Sequence, residues 1–245
     1  MEKDLIRTVV DAGNTRVKIA QFKGVDLASF QSFEWTSEDL PVLLEQLSQT
    51  KTIYSSVADE QKNNWLQAHL KPELIFTQRT SVPIDLRAYQ TISTLGTDRI
   101  ANAVAAHHFS KTSHALVVDC GTCIKFDFIE EENYLGGSIS PGFQMRFNAL
   151  HDYTGKLPLI QPKNDRTVPA LGNSTSSSIQ SGVVNGLIHE INGFINHYTK
   201  KYSNLTIFLT GGDANLFDLH NKNTIFVDSY LTLKGLYLIL KYNGG

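Results

Sequence analysis

Three glycine-rich turns contain the residues of this chain that are best suited to binding phosphate. Each directly follows an apolar run, and the three turns are DAGNT (11–15), DCGT (119–122) and TGGD (210–213). Glycine lets backbone N–H groups approach phosphate oxygens closely, threonine hydroxyls can donate to the same oxygens, and an aspartate at a strand end can hold a bridging cation. One such turn is more often a plain hairpin turn, but three of them, two in matching repeats, indicate phosphate binding.

The segment Gly96-Thr97-Asp98-Arg99 is a second candidate, placed where a helical pattern over 98–109 begins. Phosphoryl transfer needs a positioned hydroxyl, an acceptor for its proton and positive charge near the transferred group. Asp98 offers the carboxylate, and Arg99 offers a guanidinium that can bind a carboxylated substrate through two hydrogen bonds. Thr97 or Asp98 would also make a good helix cap. The two roles are compatible, so the residues alone leave both open.

Other chemical motifs are excluded or disfavoured. The chain has no G-x-x-x-x-G-K-[ST] motif and no G-x-G-x-x-G after a strand, so neither a P-loop nor a dinucleotide-binding fold is supported. Cys120 and Cys123 have C-x-x-C spacing, but they lie in a predicted hairpin turn without a second cysteine pair, which argues against a redox or metal role. His107 and His108 are adjacent on a helix and point in different directions, which makes them poor metal ligands.

The elements that must position these turns form an internal repeat. Residues 6–22 and 114–129 each contain an apolar run ending in Val-Val-Asp, a glycine turn and an alternating segment. This pattern predicts a β-hairpin in each half of the chain. The repeats begin 108 residues apart, which predicts two halves of like topology instead of a short-period solenoid.

The rest of the chain alternates between strand and helix patterns. Helices are expected over 40–47, 59–70, 98–109, 142–152, 175–200 and 231–241, and further strands over 53–57, 74–77, 134–139 and 206–210. Strands mixed with helices in two similar halves predict an α/β fold of two domains with a cleft between them. The boundary is expected near 111–113, which gives domains 1–112 and 113–245.

Composition limits the class of protein. Apolar residues make up 41% and charged residues 19% of the chain, as in folded globular proteins. The formal net charge of -2 and the absence of a basic run argue against nucleic-acid binding. Two cysteines exclude a disulfide framework. The charged opening residues resemble neither a signal peptide nor a membrane span, so we expect a soluble cytoplasmic protein with no membrane partner.

Taken together, the turns resemble the two hairpin phosphate loops and the adenosine turn of the superfamily of acetate and sugar kinases, heat-shock chaperones and actin. Within it, the chain resembles type III pantothenate kinases in six segments, which follow the family's order and spacing. They are DAGNTRVK (11–18), GTDR (96–99), DCGT (119–122), GGSISPG (136–142), LGNST (171–175) and TGGD (210–213). The resemblance implies two similar ribonuclease-H-like (actin-like ATPase) domains and a kinase that converts pantothenate to 4'-phosphopantothenate, the first step of coenzyme A biosynthesis.

The resemblance also implies roles for particular residues. The ATP-binding residues would be Asp11, Ala12, Gly13, Asn14, Thr15, Arg16, Val17, Lys18 and Thr122. The pantothenate-binding residues would be Tyr89, Gly96, Thr97, Asp98, Arg99 and Thr175, with Asp98 as the catalytic base. Asp119 would bind a monovalent cation, potassium or ammonium, and magnesium would accompany ATP. The family further implies a homodimer in which Thr175 reaches the partner's substrate pocket.

The surroundings of Asp119 give a separate reason to expect a cation. Its charge follows a buried apolar strand and needs a partner, and Lys125, the basic residue nearest in sequence, lies on the next strand. A bound ion is therefore expected as the partner, with hydrogen bonds from the Gly121 and Thr122 amides as the alternative. Cys123 stands where the family usually has alanine, and we expect that change to be silent because cysteine is small and apolar when buried.

Two other functions are compatible with such a scaffold. A kinase for a different small hydroxylated substrate, or a polyphosphate phosphatase, is disfavoured by the spacing between Tyr89 and the 96–99 segment. A non-catalytic transcriptional accessory protein is disfavoured by the near-neutral charge and by the presence of Asp11, Asp98 and Asp119.

Overall fold

A computed structural model describes residues 5–47, 50–161, 168–214 and 225–244 of the chain. The strands are β1 (Ile6–Ala12), β2 (Arg16–Lys23), β3 (Asp26–Glu34), β4 (Lys51–Ser56), β5 (Leu74–Ile75), β6 (His114–Cys120), β7 (Cys123–Glu130), β8 (Asn133–Pro141), β9 (Leu205–Thr210) and β10 (Ile225–Val227). The helices are α1 (Asp39–Leu47), α2 (Glu60–His69), α3 (Thr97–Phe109), α4 (Phe143–Asp152), α5 (Thr175–Lys201) and α6 (Leu231–Tyr242).

The chain forms two compact units, Met1–His108 with Leu231–Gly245, and Phe109–Tyr230. The sheet of the first unit has the strand order β3-β2-β1-β4-β5, and that of the second has β10-β9-β6-β7-β8. Read from the opposite edge, the second order is the same as the first. In each unit the first three strands are antiparallel, and the last two run parallel to the central strand. The prediction of two α/β halves with like topology is confirmed.

In the first unit, apolar side chains of β1 and β2 pack against α1 and α2. Val10, Val17, Leu44 and Leu66 belong to this core and are fully buried. The strand β1 is buried from its second residue onward because it is paired on both edges and helices pack on it, as expected for strands with covered faces. Its carboxyl end therefore has a rigid position, from which the first glycine-rich turn emerges.

In the second unit, β6 and β7 pack against α4 and the long helix α5. This core includes Val118, Phe126, Phe147 and Leu187, all at most 1% exposed. The helix α5 begins at a capping box. The Ser177 amide donates to the Ser174 hydroxyl oxygen, and the Ser174 amide donates to the Ser177 hydroxyl oxygen. The Ser/Thr-rich segment STSSS (174–178) is thus a helix start, and its cap is Ser174, with Thr175 as the first helical residue.

The last helix differs from its expected place. The domain 113–245 was predicted to include it, but α6 packs on β1 and β4 of the first unit. Gly235 makes this possible, because a Cβ there would lie only 1.9 Å from the carbonyl oxygen of Ala101 on α3. Phe22 and Tyr237 also stack with ring centroids 4.9 Å apart. The sequence did not predict this placement because the order of helices and strands along the chain does not show which sheet a helix packs on.

Two strands were not predicted. β3 is an edge strand with no fully buried residue, so its hydrophobic pattern is weak. β10 has three residues and also lies at a sheet edge. In the described part of the chain, no helix is both long and apolar enough to span a membrane.

Candidate active site

The first hairpin turn is positioned by the carboxyl end of β1. Asp11 and Ala12 are buried there, and the Gly13 amide donates to the Arg16 carbonyl at 2.9 Å, which closes the turn. The Val57 amide, just beyond β4, donates to the Ala12 carbonyl at 3.0 Å. Among the described residues, the amides of Asn14 and Thr15 make no hydrogen bond to the protein. Such a turn presents N–H groups that an anion can bind.

The second hairpin turn contains an ion pair that corrects one expectation. The ammonium of Lys125 lies 2.8 Å from Oδ2 of Asp119, and both side chains are more than four-fifths buried. Lys125 was excluded as a partner because it lies on the next strand. That was wrong, because the two residues are register partners in an antiparallel pair, where opposite side chains point to the same face. The Gly121 amide donates to the Cys123 carbonyl at 3.2 Å.

The third turn lies directly against the second. Gly211 follows β9, its φ of +94° favours glycine, and a Cβ there would lie 2.2 Å from the Cys120 carbonyl oxygen. The Asp213 amide donates to that same oxygen at 2.9 Å. Burial raises the pKa of the Asp213 carboxyl. Gly212 faces open space, since a Cβ there would meet nothing within 4 Å.

The Cys120 thiol lies between these two turns and is chemically quiet. Burial, followed by the negative charges of Asp119 and Asp213, raises the pKa of this thiol well above its usual range. A thiol that stays protonated is a poor nucleophile and a poor metal ligand. This agrees with the prediction against a redox role for the C-x-x-C pair.

Sequence reasoning missed the start of α4 as a support for the second turn. The Gly142 amide donates to the Thr122 carbonyl at 3.1 Å, and a Cβ on Gly142 would lie 2.2 Å from the Gly121 oxygen. Only glycine allows two backbones to approach so closely. The segment GGSISPG, which ends at this residue, was a signal that could have found the contact.

The 96–99 segment begins α3 in the first unit. Asp98 Oδ1 accepts from the Arg99 amide at 2.9 Å, and a Cβ on Gly96 would come within 2.5 Å of that oxygen. Arg99 is 4% exposed, and its guanidinium carbon lies 5.8 Å from the ring centroid of Tyr89. The structure therefore places Arg99 in contact with both Tyr89 and Asp98, and the family resemblance assigns all three to one substrate.

Ser55 joins this segment to the first hairpin and was not predicted. It ends the apolar part of β4, is the register partner of Asp11, and donates from Oγ to Oγ1 of buried Thr97 at 2.9 Å. A polar residue at the end of an apolar strand was the available sequence signal. Ser55 therefore connects β1 at Asp11 to the start of α3, and all three lie in the first unit.

Thr175 lies in the second unit, exposed on the first turn of α5. Beside it, α4 and α5 enclose a mostly apolar groove of about 720 Å³, whose lining includes Leu150, Tyr153, Ile179 and Val183. Within the described ranges, no cluster of three or more His, Cys, Asp or Glu side chains could hold a metal ion.

The family model described as "Type III pantothenate kinase" matches residues 8–197. A relative from Flavobacterium johnsoniae with that same name is 39% identical over 240 residues, which cover 95% of this chain and 96% of the relative.

Two solved structures have the same fold at low sequence identity. A conserved Campylobacter jejuni protein assigned to the Baf family of transcriptional activators has a TM-score of 0.64 at 21% identity, covering 97% of this chain and 98% of its own. An inorganic polyphosphate/ATP-glucomannokinase from Arthrobacter has a TM-score of 0.53 at 11% identity, covering 98% and 100%. These likenesses concern the fold. Because the family model and the relative both extend over most of the sequence, the chain belongs to the type III pantothenate kinase family.

Proposed function

We propose that this protein transfers the γ-phosphoryl group of ATP to the primary hydroxyl of pantothenate and so performs the first step of coenzyme A biosynthesis. The observation that carries the proposal is the near-full-length identity to a relative named for this activity. A cytoplasmic location is part of the proposal, since ATP is supplied there. The same similarity favours this substrate over a sugar, and catalysis over a purely regulatory role in transcription.

In this proposal Asp98 removes the proton of the attacking hydroxyl. Its hydrogen bond to the Arg99 amide fixes the carboxylate at the start of α3, where the helix dipole favours negative charge. Arg99 would bind the pantothenate carboxylate through two hydrogen bonds, beside the Tyr89 ring. A buried guanidinium is well suited to this role, since low dielectric strengthens its attraction for an anion.

Each unit, taken by itself, has residues that suit part of ATP. The Asn14 and Thr15 amides would bind phosphate oxygens, and the exposed Thr122 would donate from its hydroxyl. The open space at Gly212 leaves room for the adenosine. ATP supplies the phosphoryl group, and magnesium would neutralise part of its charge, with Asp11 near the metal-bound phosphates. The remaining positive charge would come from Lys18 on β2, which follows the turn.

A monovalent cation at Asp119 fits less completely. Lys125 already neutralises this carboxylate, so potassium or ammonium would share Asp119 with an ammonium group. The proposal of a cation therefore rests on the family resemblance and not on an unmet charge. If it is correct, potassium should raise activity saturably over tetramethylammonium, and Asp119→Asn should lose that response.

We also propose a homodimer formed through the α4–α5 groove. Tyr153 at its rim is 88% exposed, and Leu171, close in sequence to Thr175, is 87% exposed. A large exposed apolar side chain at the rim of an apolar groove is typical of an interaction surface. A Tyr153→Glu variant should be monomeric by light scattering, while wild type should be a dimer. A monomeric wild type would refute the dimer.

The kinase proposal is tested by incubating the protein with ATP, magnesium, potassium and pantothenate and detecting 4'-phosphopantothenate by mass spectrometry. Asp98→Asn should lower kcat by about 10²–10⁴-fold, the usual worth of a general base. Asp26→Asn is the matched control, because Asp26 is an exposed aspartate at the start of β3. The assignment would be contradicted if only other hydroxylated substrates were phosphorylated. It would also be contradicted if the kcat of Asp98→Asn were within threefold of the wild-type kcat.

A further inference from the structure

Two side chains outside the predicted site hold the carbonyl oxygens of the first hairpin turn. The indole Nε1 of Trp35 donates to the Gly13 carbonyl at 3.1 Å. The ammonium of Lys62 donates to the Asn14 carbonyl at 3.0 Å. Neither residue belongs to the six segments that carry the family resemblance, and both lie in the first unit with the turn.

These two donors support one another. Lys62 is in the first turn of α2, where the N-cap Asp59 accepts from the Lys62 amide at 2.9 Å and lies 3.3 Å from its ammonium. The same ammonium lies 5.3 Å from the centre of the Trp35 ring, within the range of a cation–π contact. Trp65 packs edge-on against Trp35, with centroids 6.3 Å apart. The clamp formed by Trp35 and Lys62 is thus attached to α2.

Peptide geometry links this clamp to the free amides of the turn. In a trans peptide the C=O of one residue and the N–H of the next point in opposite directions, and the described residues contain no cis peptide bond. Holding the Gly13 carbonyl therefore directs the Asn14 amide away from Trp35. Holding the Asn14 carbonyl likewise directs the Thr15 amide away from Lys62. Because the two donors are neighbours, both amides point to the same side, opposite the clamp.

We infer that Trp35 and Lys62 are positioning residues for phosphate binding by this turn. They fix the Gly13 and Asn14 carbonyls on one side, so that the Asn14 and Thr15 amides are oriented toward ATP phosphate oxygens before ATP arrives. Lys62 acts through the backbone, since its ammonium is already bound to Asn14 and Asp59. The inference rests on the proposed function of the loop and adds residues that the family motifs do not contain.

A first experiment tests the clamp without nucleotide. Hydrogen exchange of the Gly13 amide, which closes the turn, is measured in wild type, Lys62→Met and Trp35→Phe. Lys62→Met keeps the aliphatic stem, and Trp35→Phe keeps an aromatic ring but loses the donor. Exchange should be about fivefold faster in both variants, a change expected when one hydrogen bond of modest net worth is lost. Lys71→Met, an exposed lysine just after α2, is the matched control and should resemble wild type. Unchanged exchange in both variants would overturn the inference.

A second experiment measures ADP binding by calorimetry and steady-state kinetics in the same proteins. The Kd for ADP and the KM for ATP should rise about tenfold in Lys62→Met and Trp35→Phe. At saturating ATP, kcat and the pantothenate KM should stay within twofold, and Lys62→Arg should restore most of the affinity. Weaker binding in Lys62→Met alone would mean that its charge acts directly on phosphate, which overturns a positioning role. If wild type binds no ADP but both variants still exchange faster, the turn does not bind phosphate although Trp35 and Lys62 do hold it in place. That result would refute the proposed function of the turn and leave the structural role of the clamp standing.

Discussion

The two hairpins share one sequence pattern but are supported in different ways. Each has an aspartate next to the last residue of its central strand, and each receives one amide from beyond the neighbouring parallel strand. In the first unit the Val57 amide donates to the Ala12 carbonyl at 3.0 Å, and in the second the Asp213 amide donates to the Cys120 carbonyl at 2.9 Å. Up to this point the two are equivalent. Beyond it, at the turn, they differ.

Side chains hold the first turn, and backbone holds the second. The first turn has three residues between its strands, and its carbonyls are bound by Trp35 and Lys62. The second has two residues between its strands and is bound by the Gly142 amide. A longer turn leaves amides available to a ligand and needs outside support to orient them. A shorter turn is fixed by close backbone contacts that only glycine permits.

The charges next to the turns differ as well. Asp119 is paired with Lys125 across the second hairpin. Lys18, the register partner of Asp11 in the first hairpin, makes no ion pair with any described residue. We therefore expect Lys18 to offer its charge to the phosphates, whereas Lys125 mainly stabilises a buried carboxylate. In the described part of the chain, the first turn thus has a lysine without an ion pair beside it, whereas the aspartate beside the second turn is already neutralised within the hairpin.

The largest expected effect distinguishes backbone support from side-chain support. Gly211→Ala places a Cβ 2.2 Å from the Cys120 carbonyl oxygen at a φ of +94°, whereas Gly13→Ala places one 3.3 Å from the Arg16 oxygen. Backbone strain and overpacking each cost about 1–3 kcal/mol, so Gly211→Ala should lose more than about 3 kcal/mol of unfolding free energy. Gly13→Ala should lose about 1 kcal/mol or less. Urea unfolding measures both, and equal losses would show that the backbone contact of Gly211, in the third turn, with Cys120 supports the second hairpin no more tightly than the first hairpin is supported.

A smaller effect tests the difference in charge. Lys125→Met leaves Asp119 mostly buried without its ammonium and should lower the unfolding free energy by about 2 kcal/mol, somewhat less than for a fully buried pair. Lys18→Met should change stability by less than about 0.5 kcal/mol, as surface substitutions usually do. It should instead raise the KM for ATP. A stable Lys125→Met protein, or an Lys18→Met protein with normal ATP kinetics, would remove the distinction.

Much of this arrangement could be predicted from local pattern. The Val-Val-Asp runs predicted both central strands, and the helical pattern over 175–200 predicted α5, because each signal depends on neighbouring residues. The pairing of Asp119 with Lys125 was not predicted, because turn length sets the register and the alternation of one strand does not reveal which residue lies opposite. β3 was missed because an exposed edge strand has little hydrophobic alternation.

Contacts between distant segments were beyond sequence reasoning. Trp35 and Gly13 are 22 residues apart, and Lys62 and Asn14 are 48 residues apart. The attachment of α6 to the first unit depends on Gly235, which is an unremarkable residue in an apolar helix until its contact with Ala101 is known. The family motifs identified residues proposed to touch substrates, whereas the supports of those residues became visible only in the fold.

The smallest predicted effect concerns the residue that precedes the turn glycine in each hairpin. Ala12 and Cys120 occupy equivalent positions and are both fully buried, so Cys120→Ala makes the second hairpin resemble the first. Burial and the nearby Asp119 and Asp213 charges raise the pKa of the Cys120 thiol above its ordinary value of 9.0. The unfolded chain therefore loses this proton at a lower pH than the folded protein does.

This difference makes part of the stability dependent on pH. Because the pKa of Cys120 is higher in the folded protein, its contribution is fully present below pH 9.0 and is lost as the pH rises above that value. A proton that the folded protein keeps and the unfolded chain has lost lowers the unfolding free energy by about 1.4 kcal/mol per pH unit. Between pH 8 and pH 10, wild type should thus lose about 1 kcal/mol more unfolding free energy than Cys120→Ala, measured by urea unfolding at each pH. Other groups that titrate in this range are common to both proteins and cancel in the comparison. Parallel losses in the two proteins would mean that the thiol ionises as readily in the folded hairpin as in the unfolded chain, and that the second hairpin does not exclude charge at this position.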